Sequence, residues 1–464
     1  MTLTRFRGPA PMVPIDDLTD RVEMSIVISH QRSVSRARHL AESTPPDRNR
    51  AVDLLRAFSI LAVVFGHWLM AAPEITEAGV RVGHLIGEHR WAQWATWLLQ
   101  VMPIFFFVGG YSNSVGWRSA VRRGTGYGEW LTDRLRRLTY PLLPLLAVWV
   151  PAAWLGWRSG LDPDLIRLGS QAALVPVWFL ATYVLIVMLV PVTLRMWERH
   201  GWATVAGFTA LAGAVDIASL GFGVPLVRWL NYVFVWNAVH ALGYAWADGR
   251  LAASIRSRLA MAGVGVTALG ALVAVGPYPL AMVGLDGAAV TNSNPPKVTL
   301  VALGLFQFGL AMAAEPALRR RLSDVRTWTG VVMVNASIMS LYLWHLTVMV
   351  AVLGASIALD GLGLGIETGS ALWWSTRPIW LIVLALPTMG VMALVARFER
   401  PRPRSGHVSS WRPLVGVAGL CAGLGLLARF GVADADGLNS LAIAATVMGL
   451  AIGGVLGRPA RRTA

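Results

Sequence analysis

The sequence predicts an all-α, polytopic integral membrane protein, on three observations. Apolar residues make up 55% of the 464 and charged residues only 14%, whereas an average soluble domain is about a quarter charged. Mean hydropathy is +0.56. Apolar runs long enough to cross a bilayer alternate along the chain with short, arginine-rich loops. A soluble chain of this length would need two or three cores under a charged coat, and the charge for that coat is missing. The lone Cys421 excludes a disulfide scaffold. The net charge of +15 sits in the loops between apolar runs, which is the topological pattern of membrane proteins. No nucleic-acid partner is therefore expected.

The elements follow in order. Residues 1–47 are polar, mixed in charge and without the apolar stretch of a signal peptide, so they read as a disordered tail closed by Pro45-Pro46. Membrane helices are expected at 51–72, 91–116, 138–157, 173–194, 202–218, 229–247, 259–276, 298–314, 330–353, 378–396, 413–430 and 438–456, twelve in all. Residues 48–400 hold ten of them, and residues 401–464 form a C-terminal extension with the last two. No internal repeat is evident. With the tail inside, every inner loop carries at least two arginines, as at Arg195 and Arg199. No outer loop carries more than two basic residues. By the positive-inside rule both termini lie in the cytoplasm, and the protein is expected as a multi-pass protein of the plasma membrane.

Ionisable groups within spans are costly and tend to serve function. On the first helix Asp53, Arg56 and His67 fall on one stripe of about 100°. Asp53 and Arg56 are three apart and can pair, which reduces the cost of burying both. His67 lies about 21 Å further along the axis. The plainer reading makes the pair a snorkelling anchor and His67 a packing residue. Three intramembrane histidines, His67, His240 and His345, shift the balance towards function. On the ninth helix Tyr342 shares a face with His345, and if helices one and nine touch, His67 and His345 line one cavity. No cysteine or H-E-x-x-H spacing supports a metal site, so none is expected.

A second cluster precedes helix three. The stretch Glu129-Trp130-Leu131-Thr132-Asp133-Arg134-Leu135-Arg136-Arg137 reads as amphipathic, and Arg134 and Arg137, three apart, can converge on one ligand. Guanidinium forks suit phosphate, while the alternative is ordinary inner-loop charge or contact with anionic lipid.

These residues resemble the integral-membrane acyltransferase 3 family. Residues 50–61, Arg-Ala-Val-Asp-Leu-Leu-Arg-Ala-Phe-Ser-Ile-Leu, look like its LDxLRAxAIL signature, and Arg56 to His67 fits its R-x10-H motif. Residues 105–111, Phe-Phe-Phe-Val-Gly-Gly-Tyr, are similar to its FFVxSGY motif, with Gly109 where the family carries serine. Arg134 and Arg137 before Tyr140-Pro141 match its R-x-x-R, and Trp178, Tyr342 to His345, and Glu399-Arg400 match further landmarks. The resemblance covers about residues 47–400. It implies transfer of an acyl group, acetyl by preference, from cytosolic acyl-CoA as co-substrate to a hydroxyl of a cell-surface glycan or lipid, with no bound cofactor. In that reading Arg134 and Arg137 bind phosphates, Arg56 holds phosphate or the carbonyl end, and His67 is the base. His345 and Tyr342 orient the acceptor or stabilise the oxyanion. The substrate-binding set extends to Asp53, Asn113, Trp178, His240 and Asp216, the last of which is otherwise a helix cap. Membrane lipids are the remaining partners, and the oligomeric state is open. Rival readings are a transporter or flippase and a silent scaffold for envelope assembly.

Overall fold

The computed structural model describes residues 35–76, 79–251, 254–285, 287–399 and 408–456. Helix α1 (Arg50–Met70) is capped by Asn49, whose side chain accepts from the Ala51 amide. A two-stranded hairpin, β1 (Ala71–Thr76) and β2 (Gly79–His84), pairs Ala71 with His84. Then come α2 (Arg90–Leu99), α3 (Met102–Arg122), α4 (Tyr127–Thr139), α5 (Leu142–Arg158) and the long α6 (Pro163–His200). Next are α7 (Trp202–Asp216), α8 (Asn231–Ala247), α9 (Ile255–Val275), α10 (Thr299–Arg321), α11 (Val325–Ala336), α12 (Ile338–Ala358) and α13 (Ala371–Val395). The chain ends with α14 (Trp411–Phe430) and α15 (Ser440–Ile452).

Each of the twelve expected segments is helical. Among the described residues nine helices are long and apolar enough to cross a membrane, or ten if α4 and α5, bent by 49° at their junction, count as one span. This departs from twelve full spans. Helices α8 and α15 have 17 and 13 residues, and at 1.5 Å per residue they rise about 25 and 20 Å, short of a hydrocarbon core of about 30 Å. Helix α8 lies inside the bundle, buried from Val235 to Trp246, where it meets protein on all sides. The expected ninth span straddles the break at Ser337 between α11 and α12, and the second merges α2 with α3 across Gln100-Val101.

Residues 1–34 of the expected tail and the expected landmark Arg400 lie outside the described residues. Residues 35–42 are helical, not disordered. Ala41 packs against Ala57, Leu322, Trp328 and Val331, and Trp328 Nε1 donates to Thr44 Oγ1 at 2.9 Å, which gives this stretch a surface to fold on.

Helix α1 packs on α3, α11 and α12, while α6 runs through the bundle against α8, α12 and α14. The α3–α8 crossing is close because it is built on glycine. A Cβ on Gly110 would strike the His240 carbonyl, and one on Gly243 would strike the Phe107 carbonyl. At the end opposite the arginine-rich loops, Asp216 ties three segments together. It accepts from Asn231 Nδ2 at 2.8 Å, the Val298 amide at 2.9 Å and the Tyr278 hydroxyl at 3.2 Å, with Lys297 Nζ at 4.0 Å. At the arginine-rich end Arg118 joins Glu198 to Asp248, which also accepts from Trp197 Nε1 at 2.8 Å. Burial works against the Asp248 charge, but the hydrogen bonds from Arg118 and Trp197 outweigh it and hold the carboxyl below its usual range. Helix α14 packs on the side of α6 and carries α15 against its other flank; Cys421 Sγ on α14 donates to the Ala181 carbonyl, and the Val432 amide just after α14 donates to Ser170 Oγ.

Candidate active site

Helix α1 carries both ends of the site. At its start Asp53 is nearly buried and takes two guanidiniums, Arg48 at 2.7 Å and Arg56 at 3.4 Å. The stronger partner is Arg48, five residues back, a pairing the helical spacing did not suggest. Because Arg48 neutralises Asp53, Arg56 is shared. Its Nη2 donates to Ser112 Oγ on α3 at 2.8 Å.

Three turns further on, the His67 ring meets the His345 ring of α12, Nδ1 to Nε2 at 2.8 Å. The ring planes differ by 1° with centroids 5.1 Å apart, so the rings lie edge to edge in one plane, the geometry of an N–H···N bond. Proton placement follows from the partners. His345 Nδ1 lies 2.8 Å from the Tyr342 carbonyl, which can only accept, so a neutral His345 is protonated at Nδ1 and bare at Nε2. His67 must then donate through Nδ1, which leaves the His67 Nε2 lone pair as the unengaged nitrogen. His345 is fully buried, whereas His67 is only partly so. Trp68 Nε1 donates to the His345 carbonyl at 3.3 Å and further locks α1 to α12. Tyr342 gives its hydroxyl proton to the Pro176 carbonyl at 2.8 Å and so holds α12 against α6.

His240 stands in a separate buried cluster. Thr193 donates to the Leu189 carbonyl and accepts from the Tyr244 hydroxyl, which in turn accepts from His240 Nδ1. His240 Nε2 therefore accepts from Asn113 Nδ2 at 3.2 Å, and the same amide donates to the Tyr183 hydroxyl at 3.2 Å. Trp178 is half-buried, edge-on to Phe179 and Tyr232.

One face of α3 connects these groups, with contacts at positions 109, 112, 113 and 116 in helical spacing. Gly109 leaves room for the Tyr183 hydroxyl, Ser112 meets Arg56, Asn113 meets Tyr183 and His240, and Gly116 makes space for the Arg134 guanidinium. At the arginine-rich end this seam opens into a cavity of about 420 Å³. Gly116, Ser119, Ala120, Arg123, Thr125, Trp130, Asp133, Arg134 and Arg137 line it. Arg134 lies 5.7 Å from the Trp130 ring centroid, and its buried Nε has no hydrogen-bond partner among the described residues. Three guanidiniums outnumber the single Asp133 carboxylate in this space, and with two hydroxyls and a donor left over the lining suits a polyanion. Arg123 reads in sequence as loop charge. The signal for its role is the short Arg123–Gly126 connection, with Gly124 at φ +71°, which folds α4 back beside the end of α3.

The cavity lining includes Arg134 and Arg137 but neither His67 nor His345, so the structure gathers the expected residues into two centres at different depths. Asp216 belongs to neither. Its oxygens are taken by protein donors at the far end of the bundle. No group of three or more metal-ligating side chains occurs among the described residues. A family model described as an acyltransferase domain matches residues 49–397. No curated protein and no solved structure matches significantly.

Proposed function

The chain belongs to the acyltransferase 3 family, and from that premise we propose that this membrane acyltransferase esterifies a hydroxyl of a glycan or lipid acceptor with an acyl group, acetyl by preference, from acyl-CoA. Both termini face the cytoplasm in this reading, so the arginine-lined cavity opens to the donor. Arg123, Arg134 and Arg137 take the phosphates of coenzyme A, and the thioester end runs along the α3 face past Arg56. From Arg56 to His67 the rise along α1 is about 16 Å, comparable to the reach of an extended pantetheine arm.

His67 Nε2 removes the proton of the acceptor hydroxyl, and the oxygen attacks the thioester carbonyl. The C–S bond breaks, and the thiolate takes the proton back from the imidazolium, so an alcohol and a thioester become an ester and a thiol. His345 acts through His67. By accepting from Nδ1 it fixes the tautomer and ring orientation and supports the charge that builds on the imidazole during proton removal.

The observation that carries this reading is the 2.8 Å contact between His67 and His345, anchored behind by the Tyr342 carbonyl. The test is turnover by the purified full-length protein in lipid nanodiscs. Free thiol released from acetyl-CoA should depend on an added glycan or lipid extract, with the label recovered as ester in the extract. Movement of the extract across the bilayer without thiol release would instead support the carrier reading.

A further inference from the structure

The second half of α1 ends beside a cation that the mechanism above leaves unused. Arg377, on the first turns of α13, is only 8% exposed. Its Nε donates to the Trp373 carbonyl at 3.3 Å and its Nη1 to the Ala71 carbonyl at 3.4 Å. The guanidinium lies 4.0 Å from the Trp373 ring centroid and 5.6 Å from that of Trp380. Trp380 is itself fixed, with its Nε1 donating to the Trp68 carbonyl at 2.8 Å. No carboxylate lies within ion-pair distance among the described residues. Nη2 has no partner there, nor is it sealed off as a buried unsatisfied atom.

These observations are unusual together. A guanidinium taken almost wholly out of water without a counter-charge is unfavourable. Stacking on indoles and two neutral carbonyls offset only part of that. Among the described residues the arrangement holds no anion. What it provides is a pre-oriented edge of a planar fork, the geometry that pairs with carboxylate or phosphate oxygens. Its place is also specific. Ala71, whose carbonyl it holds, is four residues beyond His67, about 6 Å along the axis.

We propose that Arg377, clamped between Trp373 and Trp380, forms a second anion subsite at the acceptor end of the molecule. It takes a carboxylate or phosphate oxygen carried by the acceptor and so places a neighbouring hydroxyl at His67. The word acceptor rests on the function proposed above, whereas the anion site itself does not. The donor phosphates bind at the other end of α1, so the two subsites grip the two substrates from opposite sides.

The test uses the full-length protein in phosphatidylcholine nanodiscs, carrying Arg134→Ala and Arg137→Ala so that the donor cavity does not report. Glucose 1-phosphate is titrated and the thermal unfolding midpoint followed. A saturable rise is expected, with an apparent Kd weakened at least about tenfold by Arg377→Gln and less by Arg377→Lys, which keeps the charge without the fork. A parallel arm replaces the lipid with phosphatidylglycerol and omits the sugar phosphate. An Arg377-dependent rise in that arm alone would assign the anion to a lipid headgroup, and one with glucose 1-phosphate would assign it to a soluble or glycan-borne anion. Either supports the subsite. Equal affinity in parent, Arg377→Gln and Arg377→Lys, or no rise in either arm, overturns it. If Arg377→Gln does not fold, a Kd for Arg377→Lys equal to that of the parent is the overturning result. Because no turnover is read, a failed acyltransfer assay leaves this result standing, and a failed subsite leaves the transfer reading untouched.

Discussion

At the scale of single residues, the dyad makes a graded prediction. His67→Ala should abolish thiol release from acetyl-CoA while expression and insertion stay normal, because it removes the one imidazole nitrogen of the pair that the His67–His345 contact leaves unengaged. His345→Ala should lower kcat by about 10²–10⁴-fold with little change in KM, the loss typical of a general base deprived of its orientation. His345→Gln, which restores an acceptor for Nδ1 of His67, should recover part of that. Equal activity of His345→Ala and the parent would leave the contact structural. At the donor end, Gly116→Ala places a methyl where the Arg134 guanidinium lies. The tip of a flexible side chain yields easily, so the expected effect is a raised KM for acyl-CoA at nearly unchanged stability, read from initial rates and thermal unfolding. Asp248 predicts a pH effect. Its folded pKa is depressed, so its contribution is complete above the ordinary carboxylate range and is lost as pH falls through the folded value. Asp248→Asn should cost about 1–3 kcal/mol at neutral pH and flatten the acid limb of the unfolding midpoint against pH.

Among elements, the sequence was most legible where hydropathy is continuous and least where a break is local. Asp53, Arg56 and His67 read correctly as one stripe of α1 because 3.6-residue periodicity is a property of the chain itself. The Arg48 partner of Asp53 lies before the helix, where that periodicity does not apply. The breaks at Gln100-Val101 and Ser337 are not legible in the sequence because a window wide enough to find a span averages across one or two non-helical residues. The hairpin Ala71–His84 carries little sequence signal, because Val80 and Val82 give only two steps of alternation, too few to mark a strand. Glycines left their reason unstated as well. The Gly109-Gly110 pair reads as a motif, but only the fold shows that Gly110 lets α3 lie against the His240 carbonyl. Gly110→Ala should therefore separate α3 from α8 at a cost of about 1–3 kcal/mol or more, measured as a lowered unfolding midpoint. That change should also break the Asn113–His240 hydrogen bond.

On the scale of the whole molecule, helices α14 and α15 belong to the bundle physically, although the family match stops at residue 397. They bury Leu420, Leu424 and Leu427 within the main core, so deletion of residues 408–464 should expose an apolar flank of α6. The expected outcome is a marked drop in the yield of monodisperse protein in detergent, checked by size-exclusion profile, with any residual folded fraction still able to bind acyl-CoA. Sequence could place these helices in the membrane but not against a partner, because which face of a uniformly apolar helix meets protein is decided by small residues. Here Gly416, Gly423 and Gly449 set the close approach of α14 to α15.

Helix α6 runs for 38 residues, a rod of about 57 Å, while a bilayer with its headgroups measures about 40–45 Å. Unless steeply inclined, the rod must stand proud of the lipid, and its slant is fixed by the helices that flank it, not by the rod itself. Host membranes of unequal thickness would then lever this strut, and because Pro176 on it receives the Tyr342 hydroxyl and Phe179 meets the Tyr342 ring edge-on, any such rocking reaches the histidine pair through Tyr342.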